Sequence, residues 1–202
     1  MECDPMQNPQ MEKPALLIID MLKDVFNESR NYPITPHAKR VIAPINRLIK
    51  RFRSKGWPIV FSNDAYHEDD FIFKGRMNPH AIAGTTGAEV IDELDFQEQD
   101  YWLPKPRFSA FFKTGLENWL HERGITLCAV AGIATHFCVI TTVMDAICHD
   151  FKAVVLEDCC AAFTEEIHRQ TLNSYRRNPL YPLLRVSTSD ELYDELERTY
   201  TA

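Results

Sequence analysis

Four short apolar runs constrain this chain more than any other feature: "PALLIID" (14–20), "PIVFSND" (58–64), "ITLCAVAG" (125–132) and "KAVVLEDCCAAF" (152–163). A run that stays apolar without alternating is buried on both faces, as strands of a parallel sheet are. The segments between and after them carry helical periodicity. In "HAKRVIAPINRLIKRFRSKG" (37–56), Val41, Ile45, Leu48, Ile49 and Phe52 fall on one face, and Gly56 ends the pattern. "GLENWLHERG" reads as an amphipathic helix closed by Gly124, and "TEEIHRQTLNSYRRN" as another with Thr164 as its cap. "DYWLPKPRFSAF" is a short strand that enters a loop at Lys105, while "PLLRVSTSDELYDELER" offers a last short strand and a C-terminal helix capped by Ser189. Strands that alternate with helices predict an open, mostly parallel α/β sheet. The stretch from 65 to 100 is irregular, with Gly84 and Gly87 supplying turn freedom.

With 202 residues, 45% hydrophobic, the chain suits one globular domain with a full core, spanning 1–202, of which 1–13 form a flexible N-terminal extension. A net charge of -7 argues against a nucleic-acid surface, and the basic cluster "KRFRSKG" reads as the solvated end of a helix. There is no apolar membrane span and no signal core in "MECDPMQNPQMEKP", so a cytoplasmic protein is expected. Six cysteines in a chain of this length without a C-x-x-C pair read as reduced thiols, with Cys128 and Cys148 as packing residues. We expect a small-molecule substrate, no nucleic-acid or membrane partner, and assembly into a homo-oligomer, dimer or tetramer.

In open α/β sheets, ligands bind beyond the carboxyl ends of the strands. The residues there are Asp20, Asp64, Lys105 and Cys138, an ammonium, carboxylates and a thiol that could meet. Cys138 falls just past a strand, where a helix is starting. There the helix dipole and a nearby cation such as Lys105 would lower a thiol pKa by several units. A carboxylate such as Asp20 could take the thiol proton and return it to a leaving amine, with backbone N–H groups of "GIATHFC" as oxyanion donors.

"ALLIIDMLKDVF", "PKPRFSAFFKTGLENWL" and "AVAGIATHFCVITTVMDAICHDF" closely resemble the three core motifs of the isochorismatase-like cysteine hydrolase superfamily, which includes nicotinamidases, N-carbamoylsarcosine amidases and isochorismatases. "PHAIAGTTGAEVI" and "VVLEDCCAAF" match two further family segments, so the resemblance runs from about 14 to 188. It implies a Rossmann-like three-layer sandwich with helices on both faces of the sheet. It also implies a triad of Asp20, Lys105 and Cys138 that hydrolyses a small amide or ureido compound through a thioester. The oxyanion donors would be the N–H groups of Ala134 and Cys138, with a cis peptide between Ile133 and Ala134.

Two positions depart from the pattern. Nicotinamidases bind a metal through an Asp-x-His pair and a later His; here Asp64 and His80 match, but Tyr66 replaces the first His and His67 is one place off. Two ligands make a poor divalent-ion site, so a pocket without metal or other cofactor is expected, the alternative being a zinc-like ion near Asp64 and His80. The second departure is an aromatic that falls one position late, at Phe26. The residues expected to contact substrate are Phe26, Asp64, Tyr66, His80, Phe108, Ile133 and His136. His121, His149 and His168 lie on predicted helices and read as surface residues. The alternative functions are vinyl-ether cleavage of the isochorismatase type, a catalytically silent component that binds or assembles, and redox sensing at Cys138.

Overall fold

A computed structural model describes residues 11–201. The first apolar run becomes β1 (Pro14–Ile19), whose six residues are all buried, in the interior of a six-stranded parallel sheet. The other strands are β2 (Ile59–Asp64), β3 (Tyr101–Lys105), β4 (Leu127–Ile133), β5 (Lys152–Ala161) and β6 (Leu184–Ser187). Their spatial order is β3-β2-β1-β4-β5-β6. This order is that of the doubly wound dinucleotide-binding fold, and the direction of winding reverses between β1 and β4.

Alternate residues of β1 feed two cores. Leu16 and Ile18 pack with α2 (Thr35–Ser54) and α6 (Ser189–Thr201) on one face, while Ala15, Leu17 and Ile19 pack with α3 (Leu116–Glu122), α4 (Ile140–Cys148) and α5 (Glu165–Arg176) on the other. Each fully buried Leu or Ile contributes roughly 1.5–3 kcal/mol of transfer free energy, so β1 anchors both layers at once. The result is the three-layer α/β sandwich expected. Among the described residues no helix is long and apolar enough to cross a membrane.

Local chemistry moves several boundaries. The helix expected from 37 begins at Thr35, with Pro36 in its first turn where the missing N–H costs nothing. Thr164 does cap α5, accepting from the Ile167 N–H at 3.2 Å. The cap of α6 is Thr188 and not Ser189: Thr188 Oγ1 accepts from the Glu191 N–H at 3.2 Å, and Glu191 reaches back to the Thr188 N–H at 3.0 Å, a reciprocal capping box. Ser189 is turned to Asp158 instead, with its N–H at 2.7 Å and its hydroxyl at 2.5 Å from that carboxylate. Most of the expected N-terminal extension lies outside the described residues, but its last two are tied down. Lys13 N–H donates to Thr126 Oγ1 at 2.9 Å, and Glu12 pairs with Lys152 at 2.5 Å. Of the five described cysteines, all free, Cys148 is exposed where a packing role was expected, because it lies at the last residue of α4.

Gly132 near the end of β4 has φ +104, and a Cβ there would stand 2.1 Å from the Ile19 carbonyl oxygen of β1. Both conditions exclude any side chain at the point where the two central strands end. Gly132→Ala should therefore destabilise the fold by roughly 3 kcal/mol or more, read as a lower urea midpoint.

Candidate active site

The strand order brings four chemically competent side chains into one row. Lys105 ends β3, Asp64 ends β2, Asp20 follows β1, and Cys138 follows β4, so the four come from consecutive neighbours in the sheet. Lys105 is wholly buried and its Nζ donates to Asp20 Oδ2 at 3.0 Å and to Asp64 Oδ1. The other Asp20 oxygen accepts the Asp64 backbone N–H at 2.8 Å. Asp20 itself has φ 54, the left-handed region that Asp visits more readily than most residues, and this turns its carboxylate across the strand ends. Cys138 lies in a π-helical turn (Thr135–Val139) that leads into α4, and its sulfur and one carboxylate oxygen from each of Asp20 and Asp64 lie within 4.8 Å of one another.

Two carboxylates and one ammonium leave this buried group with an excess of negative charge, which sets its proton affinities. Burial, then the Asp64 charge, push the Asp20 pKa up to about 7, against the pull of Lys105. Burial works against the Lys105 ammonium, but Asp20 and Asp64 together outweigh it and hold its pKa above the ordinary lysine value. The thiol corrects the sequence reading. Burial and the Asp20 charge raise the Cys138 pKa well above that of a free cysteine, and Lys105 offsets this only in part. The resting group is thus a neutral thiol facing a carboxylate that titrates near neutrality.

These residues open onto a cavity of about 160 Å³. Asp20, Asp64 and Cys138 form its floor, and of the other expected positions Tyr66, His80, Phe108, Ile133 and Ala134 line it. The peptide between Ile133 and Ala134 is cis. Phe26 and His136 do not line it. Phe26, last residue of α1 (Lys23–Phe26), packs toward the α2 core, and Val25 takes the wall position. His136 packs against Phe137 and Phe163, ring centroids 4.6 and 4.8 Å away, and those two rings face the cavity in its place. A larger hollow of about 460 Å³ near Phe96, Trp102 and Pro104 has Thr85 and Glu89 in its lining but no cysteine, lysine or histidine.

Sequence reasoning missed two supports. Asp24 is buried and accepts the Ala81 N–H at 2.8 Å, pairs with Arg30 at 3.1 Å, and lies where a Cβ on Gly87 would meet its carboxyl at 2.5 Å. It fixes the irregular segment around 80–90 beside the cavity; its signal is the acid four residues after Asp20. His168 is not a plain surface residue, since its Nδ1 is 2.9 Å from Oγ1 of the fully buried Thr135, first residue of the π turn. His121 and His149 stack on Phe151 and Phe111 at 4.3 and 5.2 Å.

As for a metal, Asp20, Asp64 and Cys138 are the described residues whose ligand atoms converge, and His80 is not among them. His80 donates from Nδ1 to the Asn78 carbonyl at 3.0 Å and stands edge-on to Tyr66, while His67 is exposed.

The isochorismatase domain model matches residues 14–190. The chain belongs to the isochorismatase family and is a hydrolase of that family. It is 41% identical over 186 residues to a ureidoacrylate amidohydrolase of Acinetobacter baylyi, covering 80% of this chain and 76% of the relative. It is 36% identical over 166 residues to a protein of Arabidopsis thaliana named a probable inactive nicotinamidase, with 76% and 83% covered. Among solved structures, an isochorismatase-like hydrolase from Alkaliphilus metalliredigens superposes with a TM-score of 0.80 at 31% identity, covering 91% of this chain and 98% of that one. A pyrazinamidase of Pyrococcus horikoshii in complex with zinc gives 0.74 at 25%, with 87% and 99% covered.

Removing the buried cation exposes the charge balance. Lys105→Met should cost about 3–5 kcal/mol at neutral pH, because two carboxylates lose their shared partner. The loss should shrink as pH falls through about 7, since protonating Asp20 removes part of the uncompensated charge; urea titrations at pH 5 and pH 8 measure the difference.

Proposed function

We propose that this protein hydrolyses the C–N bond of a small amide or ureido compound, with Cys138 as nucleophile, Asp20 as the proton carrier and Lys105 as the cation that orders the pair. The observation that carries this reading is the Asp20 carboxylate, held by Lys105 and the Asp64 N–H, within 4.8 Å of the Cys138 sulfur at the floor of a cavity. An acid with a pKa of about 7 is matched to moving a proton at neutral pH. The names of the amidohydrolase and pyrazinamidase relatives support the same bond type.

The thiol is neutral at rest, so its proton moves to Asp20 as sulfur attacks the carbonyl carbon. The oxygen of the tetrahedral intermediate takes the negative charge beside the Ala134 and Cys138 N–H groups. Asp20 then returns the proton to the departing nitrogen, which leaves as ammonia or an amine, and a thioester remains on Cys138. Water, deprotonated by Asp20, attacks the thioester; the acid is released and the sulfur recovers its proton. Vinyl-ether cleavage needs no thiol and leaves Cys138 without a purpose. A silent role has the inactive name of one relative behind it, but Asp20, Lys105 and Cys138 are all present here and converge.

A zinc-like ion does not fit these residues. Tyr66 occupies the position of a ligand histidine, and burial and the nearby Asp64 raise its pKa, so it stays a neutral phenol. The carboxylates that would receive the ion are already bonded to Lys105. Hydrolysis is expected to survive dialysis against EDTA; stoichiometric zinc by elemental analysis, with activity lost on its removal, would contradict this.

Because a proton on Asp20 blocks it as a base, kcat/KM should rise with pH through about 7, whereas an unperturbed aspartate would place the limb near 4. Cys138→Ala should keep the fold and abolish ammonia release, roughly 10³-fold or more, because no covalent route remains. Near-native turnover by the alanine variant would instead favour ether cleavage.

A further inference from the structure

The walls of the cavity carry information on charge. Its ionisable lining residues are Asp20, Asp64, Tyr66, His80 and Cys138, and no lysine or arginine is among them. Lys105, the one cation of the site, is wholly buried behind the two carboxylates and bonded to both. Of the arginines in the surrounding loops, Arg107 pairs with Asp70 at 3.1 Å and Arg30 with Asp24 at 3.1 Å, while Arg76, which follows Gly75 and precedes Met77, is exposed and does not line the cavity. Residues 1–10 contain no lysine or arginine. The mouth is apolar and partly exposed. Phe137, Phe163 and Met77 are 47%, 41% and 38% exposed, and Phe137 lies 6.0 Å from Phe108 and 6.3 Å from Phe163 between ring centroids.

From this juxtaposition of an acidic floor with an apolar rim, resting on the amidase reading above, we infer that the substrate is an uncharged amide or ureide with an apolar, planar flank. A carboxylate-bearing substrate is selected against. A carboxylate in this cavity would give up its water to stand near Asp20 and Asp64 with no lysine or arginine in the lining to receive it. An uncharged amide instead offers N–H donors to those acids, and its flank covers exposed ring surface at the mouth. The inference separates this chain from its Acinetobacter relative, since the ureidoacrylate of that protein's name carries a carboxylate.

The test uses matched pairs that differ in one carboxylate, benzamide against 4-carbamoylbenzoate and phenylurea against 4-ureidobenzoate, together with ureidoacrylate. Ammonia release from the full chain should give a kcat/KM at least 100-fold higher for the uncharged member of each pair. Calorimetry with the Cys138→Ala protein should give binding at least 30-fold tighter for the same member. Equal or reversed preference, or ureidoacrylate as the best substrate, overturns the inference. Should no compound be hydrolysed, the amidase reading fails, and binding alone decides the inference: tighter binding of the uncharged members sustains it, while equal binding, charged preference or no binding ends it. Phe137→Arg, which places a guanidinium at the mouth, should cut the preference at least tenfold. An unchanged preference in that folded variant removes the rim from the account.

Discussion

A lysine ammonium with no exposure to solvent, shared by two aspartates from two neighbouring strands, is the interaction on which the rest of this structure depends. Burying charge is costly, and such a group survives only where geometry supplies its partners in full. The sheet does so because β1, β2 and β3 are adjacent and parallel, so that their last residues arrive at one level. The Asp64 N–H adds a fixed donor to Asp20, which leaves that carboxylate little freedom to rotate. The thiol then needs only to be delivered from the fourth strand. The π turn after β4 does that, with its first residue, Thr135, held by His168 of α5.

The backbone at this edge is as constrained as the side chains. Asp20 in a left-handed conformation and Gly132 pressed against Ile19 stand on the two strands between which the winding of the sheet reverses. At such a reversal the connections leave in opposite directions and open a crevice. The wall on the α1 side comes from an irregular segment that could not hold its shape alone. Asp24 supplies the fixed point by taking the Ala81 N–H and excluding any side chain at Gly87.

Much of this was legible in the sequence, for identifiable reasons. Runs such as "PALLIID" and "ITLCAVAG" carry no alternation, and burial on both faces is what the sheet gives them. Asp20, Asp64, Lys105 and Cys138 were readable as a set because strand ends share an edge, a property of topology and not of side-chain contacts. The sign of the thiol pKa was not readable, because it depends on how many carboxylates share one lysine and how deeply all four are buried. Nor was the exchange of His136 for Phe137 at the cavity. A π turn has i→i+5 bonds, so a reading based on 3.6 residues per turn loses its phase there. Asp24 and His168 act on partners 57 and 33 residues away, so even where a local signal exists, as for the acid four residues after Asp20, it does not name the partner.

The opposed effects on Asp20 account for why a second carboxylate belongs in the site. Lys105 alone would hold the Asp20 pKa low, and an acid ionised that readily is a weak acceptor for a thiol proton. Burial and the Asp64 charge act the other way and bring it to about 7. Burial, together with the same negative charge, keeps Cys138 protonated, so the sulfur is not a standing thiolate open to oxidants, which weighs against a redox-sensing role. In the proposed mechanism nucleophile and base are therefore set together: the burial and excess carboxylate charge that strengthen Asp20 as a base also hold the proton on Cys138 until a carbonyl is in place to receive the sulfur.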